Sequence, residues 1–208
     1  MLDMDFLTVH DAPIPARIKG LIFDCDGTLV DTMPLHFRAW MQTLERHGLK
    51  MSEQRFYEFA GMPTARIVEI LSKEQGMKVS AEEIAHEKEM VYVASIPGAQ
   101  RIRQVVDIAL REKGKRKLGV ASGGWQRVVR ESLRVIQLEE LFDAIVGADD
   151  VVHGKPAPDM FLKAAELMGV KPQECVVYED GELGMQAAKA AGMLWVDVRP
   201  WYLPRKGM

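Results

Sequence analysis

The chain has 208 residues, 48 % of them hydrophobic and 27 % charged, with a formal net charge of −3. That length suits one core domain with an insertion, and the composition is ordinary for a soluble globular protein. Mild acidity leaves no basic footprint for nucleic acid or an anionic membrane, and no apolar run approaches the ~20 residues that span a bilayer.

Residues 1–19 start acidic at Met1-Leu2-Asp3-Met4-Asp5 and carry Pro13 and Pro15. They read as a loose leader without the charged-then-apolar order of a secretory signal. Gly20-Leu21-Ile22-Phe23 is a short apolar run, the pattern of a buried strand, and it leads into Asp24-Cys25-Asp26-Gly27-Thr28. Side chains alternate along an extended segment, so Asp24 and Asp26 face one way and Cys25 the other. Cys25 and Cys175 are the only cysteines. Both fall on or beside inner strands, which argues for a reducing, cytoplasmic setting over a disulfide framework.

Asp31-Thr32-Met33-Pro34 reads as a helix start, with a capping oxygen and then a proline near the first helical position. Leu35, Trp40, Met41 and Leu44 follow at helical spacing, and Gly48 ends that helix. A second helix is predicted from Ser52 to Phe59. A third follows Gly61-Met62-Pro63-Thr64, and a fourth starts at the capping box Ser80-Ala81-Glu82-Glu83. No strand pattern interrupts residues 33–95, so residues 32–96 are predicted to form an all-α cap domain. Pro97-Gly98 marks the return.

Beyond it, helix and strand alternate. Helix is predicted for 99–112, strand for 117–121, helix for 125–136, strand for 144–146 and helix for 159–168. Strand 175–178, helix 182–191 and strand 194–198 complete the series. Asp149 and Asp150 read as solvated loop charges. The alternation implies parallel strands with right-handed crossovers. The fold class is therefore α/β: a doubly wound, Rossmann-like parallel-sheet core of residues 1–31 and 97–208, interrupted by the cap.

In such sheets, ligands bind beyond the carboxyl ends of the strands. Three segments besides Asp24–Thr28 supply polar groups there or in a nearby loop: Ser122-Gly123-Gly124, Gly154-Lys155-Pro156-Ala157-Pro158 and Glu179-Asp180-Gly181. Asp24, Asp26, Ser122, Lys155, Glu179 and Asp180 are thus expected on one rim. One hydroxyl, one ammonium and four carboxylates suit a phosphate and a hard divalent cation. Two close carboxylates repel unless a cation or a shared proton relieves them.

These four segments, in this order, resemble the motifs of the haloacid dehalogenase superfamily of phosphotransferases. His36-Phe37-Arg38-Ala39-Trp40 and the 155–159 run resemble its branch of β-phosphoglucomutases and sugar-phosphate phosphatases with a small helical cap. The resemblance implies Asp24 as nucleophile and Asp26 as general acid–base, roles that their positions also suit. Ser122 and Lys155 would hold phosphate oxygens, with backbone amides around Gly27 and Gly123 as further donors. Mg²⁺ would be held by Asp24, Asp26 (through its backbone carbonyl), Glu179 and Asp180. The cap is expected to open and close, with hinges near residues 30–32 and 95–98, and to set specificity through His36, Trp40, Thr64, Arg66 and Lys88.

The pattern departs from the mutases. Aligned from Gly61, Thr64 stands where they carry an arginine for a second phosphate, and Ala60 replaces a neighbouring basic residue. The expected function is hydrolysis of a small sugar phosphate, such as the hexose ester fructose 1-phosphate, by a monomeric enzyme through an aspartyl-phosphate. The alternatives are a β-phosphoglucomutase and, more remotely, a non-catalytic phosphate- or metal-binding module.

Overall fold

The computed structural model describes residues 11–59 and 62–202. Ala60, Gly61 and the first ten residues of the expected leader lie outside them. The described residues form strands β1 (Gly20–Phe23), β2 (Val30–Asp31), β3 (Gln100–Arg101), β4 (Lys117–Ala121), β5 (Ala144–Val146), β6 (Cys175–Glu179) and β7 (Leu194–Asp197). Five of them make one sheet in the order β5-β4-β1-β6-β7. Every pairing in it is parallel, from Gly20 beside Lys117 and Cys175 at the start of β1 to Phe23 beside Val120 and Tyr178 at its end.

All four residues of β1 are buried, as an unbroken apolar run requires of the central strand of a sheet covered on both faces. One face presents Ile22, Ala121, Val146 and Val177. They pack against Met160, Phe161, Ala164 and Met168 of α7 (Asp159–Met168) and Ala187 and Ala188 of α8 (Glu182–Ala190). The alternate side chains point the other way, where the Phe23 and Tyr178 rings stack at 4.8 Å. The remaining core helices are α5 (Arg103–Glu112), α6 (Gln126–Val135) and the single turn α9 (Arg199–Tyr202).

The described residues up to Asp31 and from Gln100 onward form one compact unit, and those within Thr32–Ala99 another. The second contains α1 (Met33–Arg46), α2 (Glu53–Glu58), α3 (Thr64–Glu74) and α4 (Ala81–Ser95) around a core of Trp40, Leu44, Phe56, Ile67, Val68, Leu71 and Ile84.

Several local expectations change. The leader is not loose from Ile14 on: Ile14 and Ile18 are buried, and the Arg116 guanidinium donates to their carbonyls at 2.6 and 3.1 Å. Thr32 precedes α1 but its hydroxyl makes no cap bond. Its backbone is already helical (φ −96°, ψ −13°), and Pro34 removes one of the amides a cap would serve. The helix expected from Ala99 begins only at Arg103, because Gln100 and Arg101 pair antiparallel with Asp31 and Val30. Asp149 and Asp150 are exposed but engaged. Asp149 accepts from the Gln126 amide at 2.7 Å, and Asp150 from the Gly147 amide at 2.8 Å. The first bond satisfies one of the orphan donors at the start of α6.

Candidate active site

The chain leaves β1 at Asp24 and folds back at once. The Cys25 carbonyl accepts the amides of Thr28, Leu29 and Val30, and the Gly27 N–H donates to the Val30 carbonyl at 2.8 Å. Gly27 has φ +81°, and a Cβ there would stand 2.2 Å from Asp180 Oδ2. Both constraints demand glycine. Of the backbone amides around Gly27 expected as phosphate donors, that of Gly27 itself is engaged by Val30. Gly27 itself serves the turn. Cys25 is buried, and its thiol is pushed well above its ordinary pKa by burial first and then by Asp26 and Asp24.

The ends of the neighbouring strands bring up the partners. Lys155, from the loop after β5, donates to Asp24 Oδ1 and to Glu179 Oε2, each at 2.7 Å. Glu179 is the last residue of β6, and its Oε1 accepts from the Gly181 amide at 3.0 Å. Asp180 accepts from the Thr28 hydroxyl at 3.2 Å. Beyond β4, Ser122 is buried, accepts from the Gly124 amide at 3.1 Å and stands 3.5 Å from Asp26 Oδ2. Gly123, between them, leaves open space where a Cβ would be.

Asp24, Glu179 and Asp180 each offer a carboxylate oxygen within 4.8 Å of the others. The Asp26 side chain is not in that group, which leaves its backbone carbonyl as the donor the sequence reading named. Burial, then repulsion from Glu179, pushes Asp24 well above the usual carboxylate range, and Lys155 opposes this. The same two causes raise Asp180 to about 7. Burial works against the Lys155 charge, but Asp24 and Glu179 outweigh it and hold the ammonium protonated. Fully ionised, the three carboxylates would face one ammonium with an excess of two negative charges, which one divalent cation would cancel. The donors are hard oxygens, and the site fits Mg²⁺ on donor chemistry and charge.

The model of the haloacid dehalogenase-like hydrolases matches residues 21–198. The chain belongs to that family. A fructose-1-phosphate phosphatase of Escherichia coli, YqaB, is 39 % identical over 88 % of this chain and 97 % of its own length. A β-phosphoglucomutase of Bacillus subtilis is 28 % identical over 87 % of this chain and 83 % of its own. The crystal structure of a β-phosphoglucomutase from Clostridium difficile shares the fold, with a TM-score of 0.76 at 24 % identity over 86 % of this chain and 83 % of that one. These relatives place the chain in the family's sugar-phosphate phosphatase branch, and it is an enzyme of the phosphatase type.

Four of the five cap residues expected to set specificity meet inside the helical unit. Lys88 is buried on α4 and its Nζ lies 2.9 Å from both His36 Nδ1 and Glu89 Oε1. The ammonium also stands over the rings of Trp40 (5.6 Å) and Tyr92 (5.3 Å), with His36 stacked on Tyr92 at 3.7 Å. Thr64 donates to the same Glu89 oxygen at 2.9 Å. Arg66 does not join them. It is exposed and paired with Glu69 at 2.6 Å, because three residues along α3 keep both on its outer side. Sequence reasoning missed Glu89 and Tyr92, although Glu89 adjoins Lys88 and Tyr92 follows it at helical spacing. It also missed the Thr28 hydroxyl as a partner of Asp180, and the Tyr202 hydroxyl, which donates to the Gly27 carbonyl, where no local signal existed.

Proposed function

We propose that this enzyme is a Mg²⁺-dependent phosphatase of small sugar monophosphates, a hexose ester such as fructose 1-phosphate, working through an aspartyl-phosphate on Asp24. One observation carries the reading: Lys155 bridges Asp24 and Glu179 inside a buried carboxylate cluster whose excess charge calls for a divalent cation. The phosphatase activity of the 39 %-identical relative supports the substrate class.

Asp24 attacks phosphorus, and the bond from phosphorus to the sugar oxygen breaks. Asp26 gives its proton to the departing oxygen, then takes one from the water that opens the acyl phosphate. Inorganic phosphate leaves and Asp24 is restored. Ser122 and Lys155 hold phosphate oxygens, and Lys155 offsets repulsion between Asp24 and the anionic ester. The cation, held by Asp24, the Asp26 carbonyl and Asp180 with Glu179 beside them, would neutralise charge on the transferring group. Desolvation strengthens each of these interactions, since the Asp24 carboxylate is almost wholly removed from water.

His36, Trp40, Thr64 and Lys88 set the preference for the sugar. The mutase reading keeps one supporting observation, the buried Lys88 cation, which a second phosphate would also seek. Its neighbour Glu89 opposes that use. The two cysteines are buried and unpaired, which supports a cytoplasmic setting, and we take the enzyme to act as a monomer. Among the described residues no helix is long and apolar enough to cross a membrane.

The test is product analysis with Mg²⁺ on fructose 1-phosphate and on β-glucose 1-phosphate primed with glucose 1,6-bisphosphate. Release of inorganic phosphate without glucose 6-phosphate is expected. Glucose 6-phosphate at a comparable or higher rate would replace the hydrolase reading with the mutase one.

A further inference from the structure

Gly27 is gripped on every side. Its N–H is taken by Val30, and its α-carbon lies under the Asp180 carboxylate. Its carbonyl accepts a hydrogen bond from the hydroxyl of Tyr202, 175 residues further along the chain. Without that donor, the carbonyl of a tight turn beside the carboxylate cluster would lack a side-chain partner.

The segment that delivers Tyr202 is itself anchored to the end of the sheet. The Val198 amide donates to the Glu179 carbonyl at 3.0 Å, and the Trp201 amide to the Val198 carbonyl at 3.0 Å. Arg199 clamps Asp197 through Nε at 2.8 Å and a terminal nitrogen at 2.6 Å. The Trp201 ring lies 6.2 Å from that of Tyr178. The phenol therefore reaches Gly27 from a strut attached to the same strand end that carries Glu179 and Asp180.

We propose that Tyr202 is a positioning residue for the Asp180 carboxylate. By holding the Gly27 carbonyl it fixes the peptide joining Gly27 to Thr28. Thr28 is fully buried, and its hydroxyl is the donor to Asp180 Oδ1. Loss of the phenol hydroxyl frees this peptide to tilt. The Thr28–Asp180 bond lengthens, and Asp180 moves on the flank where Gly27 leaves it no slack. Partners of this outer kind around ligating carboxylates change metal affinity or activity by roughly 10–100-fold when removed. The inference rests on the reading of Asp180 as a cation ligand.

The experiment compares wild type with Tyr202→Phe, which keeps the ring and removes only the donor. Turnover is followed with p-nitrophenyl phosphate, a substrate indifferent to the identity of the sugar. Thermal unfolding is recorded without metal and across a Mg²⁺ titration. The expected result is a kcat roughly 10-fold lower with KM within about twofold. The Mg²⁺ concentration for half-maximal thermal stabilisation should rise by a similar factor, and the metal-free melting temperature should hardly move. If the metal-free melting temperature falls while the Mg²⁺ midpoint stays at the wild-type value, Tyr202 only packs the chain end and the inference is overturned. It is equally overturned if Tyr202→Phe matches wild type throughout. If wild type shows no thermal response to Mg²⁺, the cation reading falls and takes the inference with it. An intact wild-type response, unchanged in the variant, sinks the inference alone.

Discussion

Gly184→Ala puts the active-site packing to a test in which two physical arguments disagree about the sign. Gly184 sits in the first turn of α8, and helix propensity alone makes alanine better by about 1 kcal/mol. The structure reverses that expectation. A Cβ at Gly184 would lie 2.1 Å from Glu179 Oε2, 2.2 Å from its Cδ and 2.6 Å from its Cγ. Glu179 is buried and cannot swing clear without giving up Lys155 at 2.7 Å and the Gly181 amide at 3.0 Å. Overpacking a closed site costs about 1–3 kcal/mol. Parting a buried ion pair costs about 3–5 kcal/mol, and the lower end applies because Lys155 keeps Asp24. After the propensity gain, a net loss of about 3–5 kcal/mol remains, or roughly 6–20 °C in melting temperature for a chain of this size. Displacement of Glu179 also disorders the Lys155 ammonium against Asp24, so turnover should fall by about 10²-fold or more. Thermal unfolding and p-nitrophenyl phosphate hydrolysis, beside a Gly98→Ala control where a Cβ meets nothing within 4 Å, measure both effects. A Gly184→Ala protein as stable and active as wild type would refute the close-packing argument.

Asp24→Asn should abolish turnover by about 10³-fold or more while leaving circular dichroism unchanged, and near-normal turnover would remove Asp24 as nucleophile. Mg²⁺ affinity should weaken as pH falls through about 7, because Asp180, raised to that value, is then protonated and must release its proton to bind. The same shift works on stability. Between about 4 and 7 the folded carboxyl binds more proton than the unfolded one, so the metal-free protein should lose stability as pH rises through that range. Calorimetric titration and melting curves across that range check both signs. Lys88→Met should fold, because the Glu89 carboxylate left behind is about a third exposed and keeps the Thr64 hydroxyl, and should keep p-nitrophenyl phosphate turnover. Its KM for the sugar phosphate found by product analysis should rise by about 10-fold, and an unchanged KM would make the Lys88 cluster purely structural.

What was legible in the sequence followed from period and punctuation. The run Gly20–Phe23, the capping box at Ser80 and the order of Asp24, Ser122, Lys155 and Glu179 each state their place locally. In the structure, Lys155 meets Asp24 and Glu179 as a charged group arriving from a loop should. The rest was hidden because its cause is distant. Nothing near Gly184 announces that Glu179 occupies the space of its missing side chain. Nothing near Tyr202 announces a turn 175 residues away. The two-residue strands β2 and β3 have no pattern of their own and exist only because the chain leaves and re-enters the core side by side. Arg66 stays out of the Lys88 cluster for the opposite reason: a local partner, Glu69, pairs with it.

The position of β1 also bears on how the molecule is made. Its four residues pair on one side with Lys117–Val120 and on the other with Cys175–Tyr178. The segment after it, meanwhile, closes a core of its own from near neighbours in the chain. During synthesis the helical unit can therefore mature first. The strand that leads into Asp24 waits, apolar, for Lys117–Val120 on one side, and its second flank stays open until Cys175–Tyr178 have left the ribosome. A slow codon tract or a chaperone that binds extended apolar segments would act on this interval, and on the yield of active enzyme, without touching a single catalytic group.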